Sequence, residues 1–332
     1  MSALAGLPEA AFAIAPELRF LTDISEPRAP CGACPVAVPA AQLPANPHLF
    51  HEDARCCTYH PELPAWLAGR ALRDPVSAPL IRARLQNPEG RRADGIAPPA
   101  STQVTRGQFG RRIEDRCPYW AGGELACGIW AHRTEVCRTW HCRYSDGDRS
   151  RMLWGDAKRL MRLIFDRLND YCMQSGEPPG EDAGAEEHEA WYLACDALIE
   201  QAPLDLVAAL RDGEIADAAE RLTESIAALD LPLPPLLVVA ISDVQRRSDG
   251  SARLCGHSPR DGVDVPPGIF LFLGRLDGQK LWRQALEEAR ADGLKIEESL
   301  VELLYRRTIL RPPRSKTMEP GGQLTLNGVI IG

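Results

Sequence analysis

The stretch Cys127-Gly128-Ile129-Trp130-Ala131-His132-Arg133-Thr134-Glu135-Val136-Cys137-Arg138-Thr139-Trp140-His141-Cys142 decides how this 332-residue chain is read. Three thiols within it are spaced for convergence on a soft metal, provided other segments supply the rest of the ligand set. The step from Cys137 to Cys142 is five residues, which on a continuous helix would turn the two thiols about 140° apart. They can face one centre only if a helix ends between them. Cys56 and Cys57 are adjacent, and neither a strand nor a helix points neighbours the same way. The sequence therefore predicts a turn there, or one thiol that ligates while the other packs or ligates elsewhere.

Eight of the 11 cysteines fall in the first 142 residues: Cys31, Cys34, Cys56, Cys57, Cys117, Cys127, Cys137 and Cys142. Such clustering fits a disulfide framework or a metal site, and the redox compartment arbitrates. Residues 1–20 have no basic start, and Glu9, Pro16 and Glu17 interrupt any apolar core, so no signal peptide is predicted. No apolar run is long enough to span a membrane. The expectation is a cytoplasmic chain with reduced thiols, which favours metal. Cys172, Cys195 and Cys255 are expected to be buried small hydrophobes.

The cysteine stretch resembles the YkgJ-type family of Cys-rich zinc- or iron-chelating proteins. Cys127, Ile129, Arg133, Cys137, Arg138 and Cys142 match its motif in identity and spacing. Trp130 and Trp140 stand where the family has Tyr and Phe, and Thr134 where it has Pro. Cys117-Pro118 matches the preceding element. Cys31-Gly32-Ala33-Cys34 and Cys56-Cys57 match the opening, but 21 residues intervene where the family has two. The likeness covers residues 31–142 and implies that all eight cysteines are candidate ligands. The family includes the flagellin lysine N-methylases, for which an iron–sulfur cluster and S-adenosylmethionine are implied. All-thiolate ligation suits zinc and a 4Fe-4S cluster alike. Around the thiols, Arg133, Arg138 and Arg143 would offset negative charge. Trp120, Trp130 and Trp140 would shield the site or simply pack in the core. Tyr59, His60 and His141 are candidates to support the ligands, and His132 is a further nearby histidine.

Beyond the cysteines, prolines through residues 27–47 predict irregular chain with little helix before residue 64. Short helices are expected at 63–72 and 76–85. Residues 88–115 read as a long loop that would need a ligand or partner surface to be ordered. Leu153, Ala157, Leu160, Ile164, Leu168 and Tyr171 recur at three- and four-residue steps and predict a helix over 149–172. Further helices are expected at 187–201, 203–211 and 215–229.

After residue 231 the pattern changes. A strand is expected at 236–244 and a return at 252–255 across the turn 248–251. Helices follow near 279–292 and 296–308, and residues 324–331 make a terminal strand candidate. The phrase from Phe272 to Leu310 is similar to the small peptide-binding winged helices of the PqqD type, which implies a peptide or protein partner. The expected fold class is α+β. It comprises an irregular Cys-rich, metal-stapled domain over 1–148, a helical layer over 149–230 and a winged-helix-like unit over 231–332.

Net charge is −8, which gives no attractive field for nucleic acid or an anionic membrane. No phosphate-binding glycine loop, His-Glu-x-x-His or nucleophile elbow occurs. Two readings remain: a cluster-dependent protein-modifying enzyme, or a non-catalytic binding module held together by structural zinc. A redox or metal sensor acting on DNA would need a basic face that the sequence lacks.

Overall fold

The structure, a computed structural model, describes residues 3–26, 34, 36–45, 49–99, 108–122, 126–141, 144–180, 182–256 and 262–313. Helices and strands are both present, as an α+β chain requires. Buried apolar side chains gather into two cores. One runs from Ala3 to Leu222 and the other from Leu237 to Leu310. The division expected at residue 148 falls inside the first core, which the cysteine-bearing residues share with the long helices.

The amino-terminal residues are more helical than the prolines suggest. α1 (Glu9–Ile14) is followed directly by a 3-10 turn over Pro16–Thr22. Ala10, Ala11, Ile14, Leu18 and Leu21 are buried, so an apolar stripe holds the segment where propensity alone would not. A second 3-10 turn, Ala40–Ala45, lies between β1 (Ala37–Val38) and β2 (Phe50–His51), which pair in parallel. Then come β3 (Leu63–Pro64), α2 (Ala65–Arg73), α3 (Ala78–Leu85), β4 (Arg91–Arg92) and β5 (Gly95–Ile96).

The expected long loop at 88–115 is corrected over its first part. β4 and β5 form a small hairpin that adds to β3. It needs no ligand to be ordered, because Trp191 Nε1 donates to Ala93 at 2.7 Å and the Tyr192 hydroxyl reaches the Gly95 carbonyl at 2.8 Å. Two aromatic donors from one helix satisfy backbone carbonyls that a loop would otherwise leave to water.

The cysteine region continues with β6 (Trp120–Gly122), β7 (Ala126–Cys127), a 3-10 turn over Trp130–His132 and α4 (Glu135–Thr139). α5 (Asp148–Ser175) is the long amphipathic helix the sequence predicts, with Leu153, Ala157, Leu160, Ile164 and Leu168 all buried. Trp66 of α2 meets Phe165 of α5 edge-on, with centroids 5.1 Å apart. α6 (Ala185–Gln201), α7 (Leu204–Ala208) and α8 (Gly213–Ala227) complete the layer. Asp212 caps α8 by accepting from the Ile215 N–H at 3.0 Å while Arg167 holds its other oxygen.

In the second unit the single strand expected at 236–244 is two strands in two different sheets. β8 (Leu236–Val239) is central, between β12 (Asp277–Leu281) and β13 (Leu310–Arg311). β9 (Asp243–Arg246), β10 (Ala252–Cys255) and β11 (Val263–Val265) form an antiparallel meander. The chain leaves one sheet for the other at Ala240-Ile241-Ser242, where Ala240 still donates to Ile309 and Ser242 already donates to Cys255. Ile269–Leu273 is a short helix, α9; α10 (Trp282–Ala291) and α11 (Glu298–Arg306) follow. The strand candidate at 324–331 lies outside the described residues.

The two units meet just after the cysteine stretch. Thr308 Oγ1 accepts from the Asp148 N–H at 2.7 Å, Arg307 donates to the Tyr144 carbonyl, and Arg149 lies over the Tyr305 ring at 4.6 Å. Gly147, at φ 58°, sits so close that a Cβ would come 2.5 Å from Thr308 Oγ1. Among the described residues, no helix is long and apolar enough to cross a membrane.

Candidate metal centre

Four segments carry the six described candidate thiols. Cys34 precedes β1. Cys56 and Cys57 lie in the turn after β2, as their adjacency demands, with Arg55 in the left-handed region at φ 54°. Cys117 precedes the β6–β7 hairpin, Cys127 ends it, and Cys137 is in α4. α4 stops at Thr139 and Trp140 is extended (φ −81°, ψ 120°), so the helix does end between Cys137 and Cys142. Cys31 and Cys142 themselves lie outside the described residues, as does Arg143.

Backbone hydrogen bonds draw these segments together. The Cys117 N–H donates to the Cys57 carbonyl at 2.7 Å, and the Gly128 N–H to Tyr119 at 2.9 Å. Thr58 Oγ1 accepts from Gly110 at 2.7 Å. Ser77 Oγ lies 2.9 Å from the Gly128 carbonyl and anchors the hairpin to the start of α3.

The thiols sense one another. Burial pushes the Cys137 thiol up to about 12, and the charges of Cys127 and Cys56 add to the rise while Arg133 opposes it. Cys117 is raised further, again by burial first and by Cys137 and Cys127 after. Cys56, Cys117, Cys127 and Cys137 thus share one neighbourhood. No disulfide joins any two of the described cysteines. Without a metal the thiols of Cys117 and Cys137 stay protonated at neutral pH; a bound cation would displace the protons.

Two arginines frame the group. Arg133 donates through Nε to the Trp130 carbonyl at 3.0 Å and through Nη1 to Cys137 at 2.8 Å, and its guanidinium stacks 3.4 Å from the Trp130 ring centre. Arg138 is 1% exposed. It donates to the carbonyls of Arg133, Ala3 (3.1 Å), Ala5 (2.6 Å) and Ala131 (2.7 Å). No carboxylate accepts from it among the described residues, and burial pulls its pKa down to about 9.

The histidines divide. His60 Nε2–H donates to the Asp115 carbonyl at 2.9 Å, and its buried Nδ1 has no hydrogen-bond partner among the described residues. That tautomer presents a lone pair, as a metal-bound or acceptor imidazole does. His132 Nε2 faces Asp74 Oδ2 at 3.0 Å, and burial lowers its pKa despite that carboxylate. The His141 ring lies 4.5 Å from Trp154 and 6.0 Å from Tyr144. Tyr59 is 38% exposed, yet burial of its hydroxyl, with Cys137 and Glu135 nearby, raises the phenol to about 12. The tryptophans are not core residues: Trp120 and Trp130 are half-buried and Trp140 is exposed. Cys172, Cys195 and Cys255 are buried away from the group, as expected.

The donor types are those a thiophilic metal takes: several thiols in one neighbourhood with a buried cation beside Cys137. The closing geometry is another matter. Among the described residues, no three His, Cys, Asp or Glu side chains converge closely enough to hold an ion. Asp74, Ser77 and Glu135 border the region and sequence reasoning passed over them; their only sequence signal is position near a helix start.

Comparison with protein families, curated proteins and solved structures finds no match for the chain.

Proposed function

We propose that this chain is a thiolate metal-binding protein, its zinc or 4Fe-4S cluster held by ligands drawn from Cys31, Cys34, Cys56, Cys57, Cys117, Cys127, Cys137 and Cys142. The observation that carries the reading is the buried guanidinium of Arg138 beside the thiol of Cys137. A cation that deep is costly unless an anion compensates it. Carbonyl dipoles offset part of that cost. Neutral thiols contribute little more, whereas a metal bound by four thiolates carries net negative charge. Arg133 and Arg138 then neutralise the centre from one side, and the stacked Trp130 keeps water from it.

The likeness to the lysine N-methylase branch extends the reading to a protein-modifying enzyme that uses S-adenosylmethionine. In that reading the C-terminal unit, by its likeness to PqqD-type winged helices, takes the peptide or protein substrate. The alternative is a zinc-stapled binding module, favoured by the two-residue strands β1 and β2, which are too short to be stable by themselves.

The test is purification without oxygen, followed by a visible spectrum and measurement of iron, zinc and acid-labile sulfide. A broad band near 400 nm with about four irons and matching sulfide establishes the cluster. A colourless protein with one or two zincs establishes the module. Neither metal at one equivalent or more overturns the proposal.

A further inference from the structure

Behind the thiol group, α4 and α5 border an open surface recess of about 390 Å³ lined by Glu135, Val136, Lys158, Arg159, Arg162 and Leu163. Its charge is unlike that of the chain. Three cations face one carboxylate, in a protein of net charge −8.

The cations are not equivalent. Arg162 is committed, 3.3 Å from Glu135 and 3.2 Å from Asp166. Glu135 is 5% exposed, and Arg162 neutralises it. Lys158 and Arg159 lie one turn earlier on α5 and have no hydrogen-bond or ion-pair partner among the described residues. Lys158 stands one turn before Arg162 on the same side of α5, the spacing at which like charges cost a helix stability. Elsewhere the fold pairs its arginines readily, as Arg70 and Arg73 do on Asp196.

Val136 and Leu163 give the recess an apolar wall, to which the aliphatic stems of Lys158 and Arg159 add. A free inorganic ion would use the cations and waste the wall. A ligand with an anionic head and an apolar body would use both.

We infer that this recess binds a small organic anion, its carboxylate or phosphate held by Lys158 and Arg159 and its apolar portion laid on Val136 and Leu163. The site stands whether or not the thiols hold metal. The two heads share the chemistry of bidentate, charge-assisted hydrogen bonding.

Calorimetric titration of the full chain with phenyl phosphate, phenylacetate and inorganic phosphate tests it. At least one phenyl ligand is expected to bind about tenfold or more tightly than inorganic phosphate, and which one does so identifies the head group. In Lys158→Ala/Arg159→Ala that ligand is expected to weaken by about tenfold or more, with metal content unchanged. Arg151→Ala, one helix but two turns away, is the control and leaves affinity unaltered. The proposal is overturned if none of the three binds, if inorganic phosphate binds as well as both phenyl ligands, or if the double variant binds like the parent. A double variant that loses metal as well as ligand also overturns it, because the recess would then be part of the thiol centre.

Discussion

Arg138 Nη1 donates to the Ala5 carbonyl at 2.6 Å, although the two residues are 133 positions apart. One side chain thereby fastens the amino-terminal segment to the segment that carries Cys137. Gly6 makes the approach possible: at φ 74°, it leaves a gap that a Cβ would close to 2.4 Å from the Ala131 carbonyl.

Arg138→Leu is expected to destabilise the fold by about 3 kcal/mol or more, because it strands buried carbonyls without donors. Arg138→Lys keeps the charge but cannot span the same acceptors and is expected to recover less than half of the loss. Urea denaturation of the three proteins decides it, and a lysine variant as stable as the parent would show that charge alone matters.

Gly69 of α2 presses on α6, so that a Cβ there would come 1.8 Å from the Tyr192 carbonyl. Gly69→Ala should cost about 3 kcal/mol, since backbone must move. Gly155, inside α5 with nothing within 4 Å, is the opposite case. There alanine should stabilise by about 0.5–1 kcal/mol through helix propensity. Thermal melts of both variants should shift in opposite directions.

Under the proposed metal-binding function, removing Cys137 distinguishes a metal ligand from a packing thiol. Cys137→Ser should lower bound metal to less than half, whereas Cys172→Ser, buried between α5 and α6, should retain it in full. Equal metal in the two purified variants contradicts the assignment of Cys137.

Arg211 donates to both oxygens of Glu17, at 2.8 and 2.9 Å, and to the Ile14 carbonyl at 3.1 Å. Its hydrogen bonds hold the Glu17 carboxyl below the usual carboxylate value. The stabilisation is therefore fully present above about pH 4.5 and is lost as pH falls through the lowered folded-state value. Glu17→Gln should flatten that part of the acid limb and leave the curve above pH 6 parallel to the parent's. An unchanged acid limb in stability-against-pH measurements refutes the role of the pair.

Much of this was legible in the order of residues. Leu153 to Leu168 announce α5 because an apolar stripe at helical spacing has one economical solution. The five-residue step from Cys137 to Cys142 called for a helix end between them if both thiols were to face one centre, and α4 stops at Thr139. What was not legible depended on distant partners. Nothing near Ala93 and Gly95 reveals that Trp191 and Tyr192 will take their carbonyls. Nothing in the run from Leu236 to Val244 reveals a change of sheet, because β propensity is continuous across it and only Ile309 and Cys255 determine which half pairs with which. In the candidate site the thiols were evident from spacing. Arg138 was expected beside them, but not as a buried link to Ala3 and Ala5, since an arginine's partners are four backbone atoms whose positions the local sequence does not encode.

The place of β8 between β12 and β13 bears on how the chain is made. Leu236 and Leu237 emerge from the ribosome early, yet Val239, the other end of the same strand, pairs with Leu310. Leu237 is fully buried in a core that includes Leu310. The first strand of this unit gains one neighbour with β12 and its second only with the last strand, so one edge of its central apolar segment stays open until the unit is nearly complete. Folding of this half begins late and closes a long loop in doing so, which is intrinsically slow. The residues of the thiol-bearing core are already translated by then.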